Sequence, residues 1–545
     1  MTAHHAGDGP EPALHPRVRS SWPWIAGGIA LVVYLAAGWW MRYQLHYAIG
    51  DALSRSADAR AVVESRDPHL TAVGFVWLPL PVLVQLPFSL VLSKLNWADF
   101  AGPMSTAACT AAMVVLFAKI TETLKLRLGI ALILTTLLAF NPVVVYYAAN
   151  GMSEASSFMF YCLAALGLVR WSRTPSTAHL ATIGAGLAGA MLCRYETLLL
   201  IPVFAIAAAL QVRPGRHATR WGMVAVTVAL PAIFAFILWL AVSAVIMHDP
   251  FYWQKALRFE GTPPPGAVWL PTRTLANGVL YSLRLTLRLA PGFIPIGILL
   301  VARRSVVNAV VGATFVAAGA AFPLYVAYGV GTNQSWGDPR YFAPLTIFSA
   351  IGAAWIVATH PARQQAAWLA CVAALLVVST VASVTSLSDT RIAPIEGEPV
   401  VFSHLTGASV PTTSYKGQPL EVWRRVVREI DPLLTGRKTI AVDTNVEFAA
   451  ALLTRRPTHF VIDSDRDFQS LMADPAGKID YLLYAQGGPT SDAVLFQNAL
   501  ATTAGGQWSM LGPKFALGNG SSVQLYRWVP AGGASPAPQP TVRSG

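Results

Sequence analysis

Residues 73–95 read VGFVWLPLPVLVQLPFSLVLSKL, and the fold turns on whether this stretch crosses a membrane. It is apolar enough, since about 20 such residues in a helix span the roughly 30 Å of bilayer hydrocarbon. It is also broken by Pro79, Pro81 and Pro87, each of which removes a helical hydrogen bond. The flanking charge decides between the two. With 73–95 left out of the crossings, the short basic loops at 119–127, 170–173, 213–220, 303–304 and 360–363 all fall on one side, which the positive-inside rule makes cytoplasmic. If it crossed, every one of them would move outside. The stretch therefore reads as a juxtamembrane segment at the outer interface, inside a long first outer loop, 42–103.

Working outward, apolar runs recur from Trp22 to Val384. Hydrophobic residues make up 54% of the chain and charged ones 12%, with a mean hydropathy of +0.49. A soluble protein carries roughly 25% charged residues, so a large soluble core is excluded. The pattern predicts a polytopic α-helical membrane protein of about eleven transmembrane helices. The odd number puts the N-terminus inside and the C-terminus outside, in a plasma (inner) membrane. Arg17 and Arg19 precede the first run, no small-residue cleavage signal follows it, and Trp39, Trp40 and Tyr43 close it like an interfacial belt. The net charge of +12 is scattered over short loops instead of forming a stripe, which argues against nucleic acid. Cys109, Cys162, Cys193 and Cys371 lie in apolar stretches without metal-like spacing and read as small buried hydrophobes.

From about Ile392 the pattern changes. Short strands are expected at 439–443, 459–463, 481–484 and 522–528, with helical stretches at 447–454, 467–472 and 491–503 between them. Such alternation implies a small α/β domain. The expected organisation is a cytoplasmic tail over 1–21, a transmembrane domain over 22–390, an extracytoplasmic α/β domain over 391–530, and a disordered Pro/Gly/Ala-rich tail over 531–545. No phosphate-binding loop or dinucleotide fingerprint accompanies the strands.

Chemistry-bearing residues gather in the outer connections. The first outer loop packs Asp51, Arg55, Asp58, Arg60, Glu64, Arg66, Asp67 and His69 together. Asp51, Arg55 and Asp58 share one helical face. Asp58, Arg60 and Glu64 read as a solvated, ion-paired juxtamembrane face. Asp51 differs, because it follows Gly50 where the first helix leaves the bilayer, at a depth where an unpaired charge is costly and usually functional. Arg194 and Arg340 also sit at outer helix boundaries, near Glu196, Asp338 and Tyr341, and Glu154 opens another helix. The connection 248–288 carries Tyr252, Trp253, Trp269 and Tyr281 around the run 263–265, aromatics that suit sugar rings or the bilayer interface.

These elements resemble the GT-C glycosyltransferases, among them the protein O-mannosyltransferases and lipid A aminoarabinose transferases, and are similar to glycosyltransferase family 39. The likeness rests on the acid-opened first loop with WLPLP, on NPVVVYYAANGMSEA (141–155), on CRYETLLLIP (193–202) and on DPRYFAPL (338–345), and it spans about residues 22–385. It implies an inverting transfer of a sugar from a polyprenyl-phosphate donor to an acceptor hydroxyl on the outer face. Asp51 would be the general base, and Arg55, Arg194 and Arg340 would hold the donor phosphate. His69, Glu154, Glu196, Asp338 and Tyr341 would contact sugar or acceptor, which could be a glycan, a lipid or a protein. Many such enzymes carry two adjacent acids where this chain has Asp51 followed by Ala52, which leaves a divalent metal open but unsupported, and no cofactor is certain. Two other readings stay open: a transporter or flippase, against which the nearly charge-free spans argue, and a non-catalytic scaffold.

Overall fold

The computed structural model describes residues 20–212, 218–256, 274–302, 305–332, 334–335, 337–393, 397–409, 420–444, 447–486, 493–501, 505–517 and 522–531. The tail through Arg19, the loop arginines Arg213, Arg216, Arg303 and Arg304, the 263–265 run with Trp269, and 532–545 lie outside the described residues. The first helix, α1 (Trp22–Trp39), runs on through a π-helical turn, Trp40–Gln44, and the chain then turns sharply at His46 into α2 (Gly50–Val63). Next comes α3 (Leu80–Leu92), with Pro81 in its first turn, where a missing N–H costs little, and Pro87 inside it. Its 13 residues reach only about 20 Å, short of a bilayer, as the reading of 73–95 requires.

The bundle continues with α4 (Ala101–Thr123), α5 (Leu128–Ala139), α6 (Pro142–Asn150), α7 (Ser153–Arg173), α8 (Thr177–Met191), α9 (Leu200–Leu210) and α10 (Ala218–Met247). After the short α11 (Tyr252–Ala256) come α12 (Leu275–Leu289), α13 (Phe293–Val301), α14 (Val306–Gly331), α15 (Ala343–Ala358) and α16 (Gln365–Leu387). Six described stretches are long and apolar enough to cross a membrane: Trp22–Gln44, Ala98–Thr123, Arg220–Met247, Val306–Gly331, Pro339–Ala358 and Gln365–Leu387. The pairs α5 with α6, bent by 56°, and α12 with α13, bent by 97°, bring these to eight if each pair is one span. The eleven expected included the stretches now in α7, α8 and α9, which do not qualify by length and composition.

The connection expected over 248–288 holds the amphipathic α12 instead of being open loop. The chain bends sharply at Pro291–Gly292, and a Cβ on Gly292 would lie 2.5 Å from the Leu375 carbonyl. Of the four cysteines, Cys371 is exposed on α16, where a small apolar side chain can face lipid, and only the other three are buried.

Beyond α17 (Glu398–Thr406) and α18 (Leu420–Ile430) lies a five-stranded sheet of β1 (Ile440–Val442), β2 (Phe460–Val461), β3 (Tyr481–Gln486), β4 (Gly506–Ala516) and β5 (Ser522–Pro530), ordered β2-β1-β3-β5-β4. The first three strands are parallel and the last two antiparallel. The pleat sorts side chains to two faces. Ile440, Val442 and Leu483 pack with α18 and α19 (Phe448–Leu453), while Ala441, Leu482 and Tyr484 pack with α20 (Phe468–Ala473) and α21 (Ala493–Ala501). Strand β4 was not expected. It carries Gly512 and Pro513 and breaks register between Leu511 and Phe515, which only an edge strand tolerates.

The first-loop helix belongs to both units. Ala48, Leu53, Ala61 and Ala72 share one apolar cluster with Trp423, Ile440, Phe448 and Phe460. The solvated face expected at 58–64 is therefore covered. Arg60 is buried, and its Nη1 donates to the Leu452 and Thr454 carbonyls at 2.6 and 2.7 Å. These carbonyls close the C-terminus of α19, where helical acceptors lack intrahelical donors. Its guanidinium also pairs with Glu64 at 3.1 Å. Farther along, Arg66 binds Asp465 and Asp467, and Asp67 binds Arg466.

Candidate functional site

Small residues set the geometry. Gly102 at the start of α4, Gly151 after α6 and Ala52 of α2 meet at one point. A Cβ on Gly102 would lie 2.7 Å from Ser56 Oγ, and one on Gly151 would lie 3.3 Å from the Ala52 Cβ. Gly151 also has φ +89°, a left-handed helix end that glycine fills without strain. Asn150 Oδ1 then accepts from the Met152 amide at 2.9 Å, so the turn delivers Glu154 to the first turn of α7 beside α2. Ser56 donates to Gln85 Oε1 at 3.0 Å and fixes α3 against the same helix.

Around this point the expected residues converge. Arg194, before the 3-10 turn Tyr195–Leu199, donates to Glu154 and to Glu196. Arg340, in the turn Pro339–Phe342, donates to Asp51 Oδ2 at 2.8 Å and lies 3.7 Å from Asp338. Both guanidiniums face the Tyr341 ring, at 5.1 and 5.4 Å from its centroid. Asp51 sits in the first turn of α2, where the helix dipole favours an anion. Arg55, one turn on, donates to the Asp51 carbonyl at 3.1 Å and stacks over Trp77 at 4.5 Å.

The three arginines differ in their commitments. Arg194 is neutralised by two carboxylates, and Arg340 by Asp51 and Asp338. Arg55 is buried with no carboxylate partner among the described residues, and its Nε–H donates to no acceptor there. Burial pulls its pKa below the usual range, with Asp51 and Glu154 opposing that. One Glu154 oxygen, fully buried, is also without a hydrogen-bond partner among the described residues. Three guanidiniums thus face four carboxylates in a desolvated cluster, with one guanidinium available to an incoming anion.

Eight of the nine expected site residues come together. His69 does not join them: its Nδ1 lies 2.5 Å from the Asp67 carbonyl, next to the Asp67–Arg466 pair. The sequence reading passed over Trp77, although it sits in the quoted WLPLP, and Tyr325, whose ring lies 5.5 Å from Tyr341. Trp253 of the 248–288 connection stacks on Tyr195 at 4.0 Å, beside Arg194. Among the described residues no group of three or more His, Cys, Asp or Glu side chains could hold a metal ion.

Residues 98–239 match the family described as dolichyl-phosphate-mannose-protein mannosyltransferase. Among curated proteins no sequence matches the chain. The structure is similar to ArnT from Cupriavidus metallidurans in the apo state, with a TM-score of 0.53 and 14% identity over 93% of this chain and 98% of that one. It is similar to the same protein bound to undecaprenyl phosphate, with a TM-score of 0.52 and 13% identity over the same shares. Arabinofuranosyltransferase AftD from Mycobacteria aligns with a TM-score of 0.43 and 15% identity, over 93% of this chain and 40% of that one. The chain is a multi-pass membrane protein that shares the fold of ArnT, and its segment 98–239 is similar to the mannosyltransferase family.

Proposed function

We propose that the protein transfers a hexose or pentose from a polyprenyl-phosphate donor to an acceptor hydroxyl, inverting the anomeric centre, on the extracytoplasmic face of the plasma membrane. The observation that carries this is the Asp51–Arg340 pair with the uncommitted Arg55 one helical turn away. The donor phosphodiester enters between Arg55 and Arg340, and Arg340 turns from Asp51 to the phosphate oxygens, which guanidinium binds bidentately. Asp51 is then free to act as base.

The acceptor oxygen forms its bond to the anomeric carbon while its proton passes to the Asp51 carboxylate. The bond from that carbon to the phosphate oxygen breaks, and the electron pair stays on the phosphate, whose growing charge Arg55 and Arg340 stabilise. Arg194, Glu154, Glu196 and Tyr341 hold the wall of the site around Arg340. The undecaprenyl phosphate bound by the similar ArnT supports a polyprenyl phosphate here. The topology is supported by the basic turns after α4, α7 and α15, which close the ends opposite those that meet at the site. On this reading the N-terminus lies in the cytoplasm and the sheet domain, 391–530, lies outside.

The test is purified protein in nanodiscs with polyprenyl-phosphate mannose or arabinose and a saccharide acceptor. Released polyprenyl phosphate and the anomeric configuration of the product are measured. Transfer with inversion that Asp51→Asn abolishes is expected. Absence of turnover and binding for every lipid-phosphate sugar would turn the reading toward a transporter or scaffold.

A further inference from the structure

The geometry points to a saccharide-hydroxyl site at the seam between α2 and the sheet domain, an acceptor subsite about two helical turns from Asp51. This rests on the transferase reading. Open sheets with parallel strands bind ligands beyond the carboxyl ends of the strands, where successive connections leave to opposite faces. Here β1 lies between β2 and β3, with α19 on one face of the sheet and α20 on the other. Thr444, just after β1, and Asp463 and Ser464, after β2, meet α2 there. Between them opens a cleft lined by Asp58 and Ser65 on one side and by Thr444, Asp463 and Ser464 on the other.

Three observations mark it as a binding site and not a closed joint. First, Asp58 and Asp463 face each other, and neither has a basic side chain in ion-pair reach among the described residues; Arg60, beside them, is spent on the α19 carbonyls and Glu64. Second, Ser65 is 6% exposed, and its Oγ has no hydrogen-bond partner among the described residues. Third, the chain passes the Asp58 carboxylate at Gly74, where φ is +76° and a Cβ would lie 3.3 Å from Oδ2, so no side chain fills the space.

The cleft encloses ≈ 410 Å³ open to solvent, with an inner space of ≈ 30 Å³. That admits a hydroxyl or two but no whole ring. Carboxylates that only accept, beside hydroxyls that both donate and accept, match the vicinal hydroxyls at the edge of a sugar. Asp58 lies on the same α2 face as Asp51, about 10 Å farther along the axis, so an oligosaccharide gripped here presents a later ring to the base.

The test measures binding without donor. Mannose and arabinose trisaccharides are added to the full-length protein in nanodiscs, and saturation transfer to the sugars is read by NMR. Wild type should bind one of them. Asp463→Asn should weaken binding about tenfold, the loss expected for a charge-assisted hydrogen bond, and Ser65→Ala severalfold, the smaller loss of a neutral one, with melting points kept near wild type. Arg55→Met should still bind. Donor hydrolysis with no saturation transfer overturns the subsite and leaves the transferase reading standing. Saturation transfer abolished by Asp463→Asn, in protein that turns over no donor, sustains the sugar site and sinks that reading. Calcium alone raising the melting point of wild type but not of Asp58→Asn, with no sugar signal, would assign the carboxylates to a cation and overturn the proposal.

Discussion

Replacing Arg55 by Met separates catalysis from stability, because Arg55 is the one arginine of the cluster with no carboxylate to leave behind. Its contacts are the Asp51 carbonyl at 3.1 Å, the Met152 sulfur at 3.7 Å and the Trp77 ring at 4.5 Å. Loss of the ring contact costs about 0.5–2 kcal/mol, and methionine keeps most of the packing while removing a desolvated charge. The net change in stability should be about 1 kcal/mol or less. Chemistry should suffer far more. Removing one preorganised donor from a developing oxyanion costs about 10²–10³ in rate. Arg194→Met is the control: it strands Glu154, which is fully buried, and Glu196, and breaking such a buried pair costs about 3–5 kcal/mol. The assay is turnover of a polyprenyl-phosphate sugar in nanodiscs, run beside a fluorescence-detected melt. Arg55→Met should be folded and slow, and Arg194→Met should melt early. An Arg55→Met enzyme within about twofold of wild type, or one melting as low as Arg194→Met, would refute the division of labour among the arginines.

Asp51→Asn should lower turnover by about 10²–10⁴ while donor binding holds or tightens, since Arg340 no longer has Asp51 to release; unchanged turnover in a lipid-donor assay would remove the base. Gly102→Val should impair activity without touching a charge, because even a Cβ there meets Ser56 Oγ at 2.7 Å and α2 must move; a variant with wild-type kinetics would count against the close approach. Burial and Asp463 push the Asp58 carboxyl well above the usual range, with Arg55 opposing. An acid raised in this way favours the folded state below its ordinary pKa of about 4, and that contribution is lost as pH rises through the raised value. Melting curves should therefore show Asp58→Asn gaining on wild type between acid and neutral pH, and a gap that widens toward acid would contradict this. Arg60→Met should loosen the sheet domain from α2, read as faster proteolysis in the 447–454 region, with no such change counting against Arg60 as the link.

The architecture was legible where one residue type answers to one physical demand. Proline at 79, 81 and 87 kept a hydrophobic stretch from counting as a crossing, and a 13-residue helix is what forms there. Acids and arginines at helix boundaries pointed to the site, and Asp51 and Arg340, 289 residues apart, do meet. Which acid takes which arginine had no local signal, so the special position of Arg55 emerged only in three dimensions. Arg60 misled for the same reason: i,i+4 spacing with Glu64 suggests a solvated pair, while its main acceptors lie more than 390 residues away. Strand β4 hid behind glycine and proline, which obscure an edge strand. The i,i+7 spacing of Asp51 and Asp58 aligns Asp51 with the seam and is visible in the sequence.

Because α2 is walled by the membrane bundle on one flank and by the sheet domain on the other, the helix carrying Asp51 cannot find its final surroundings early. It leaves the ribosome more than 350 residues before Trp423, Ile440, Phe448 and Phe460, which cover its apolar side. A chain stopped before β1 would hold every arginine of the cluster yet leave Asp51 on an uncovered, unbraced helix. The order of synthesis thus acts as a check on completeness: the surroundings of Asp51 are finished only once the residues of α18, α19 and β2 have been made.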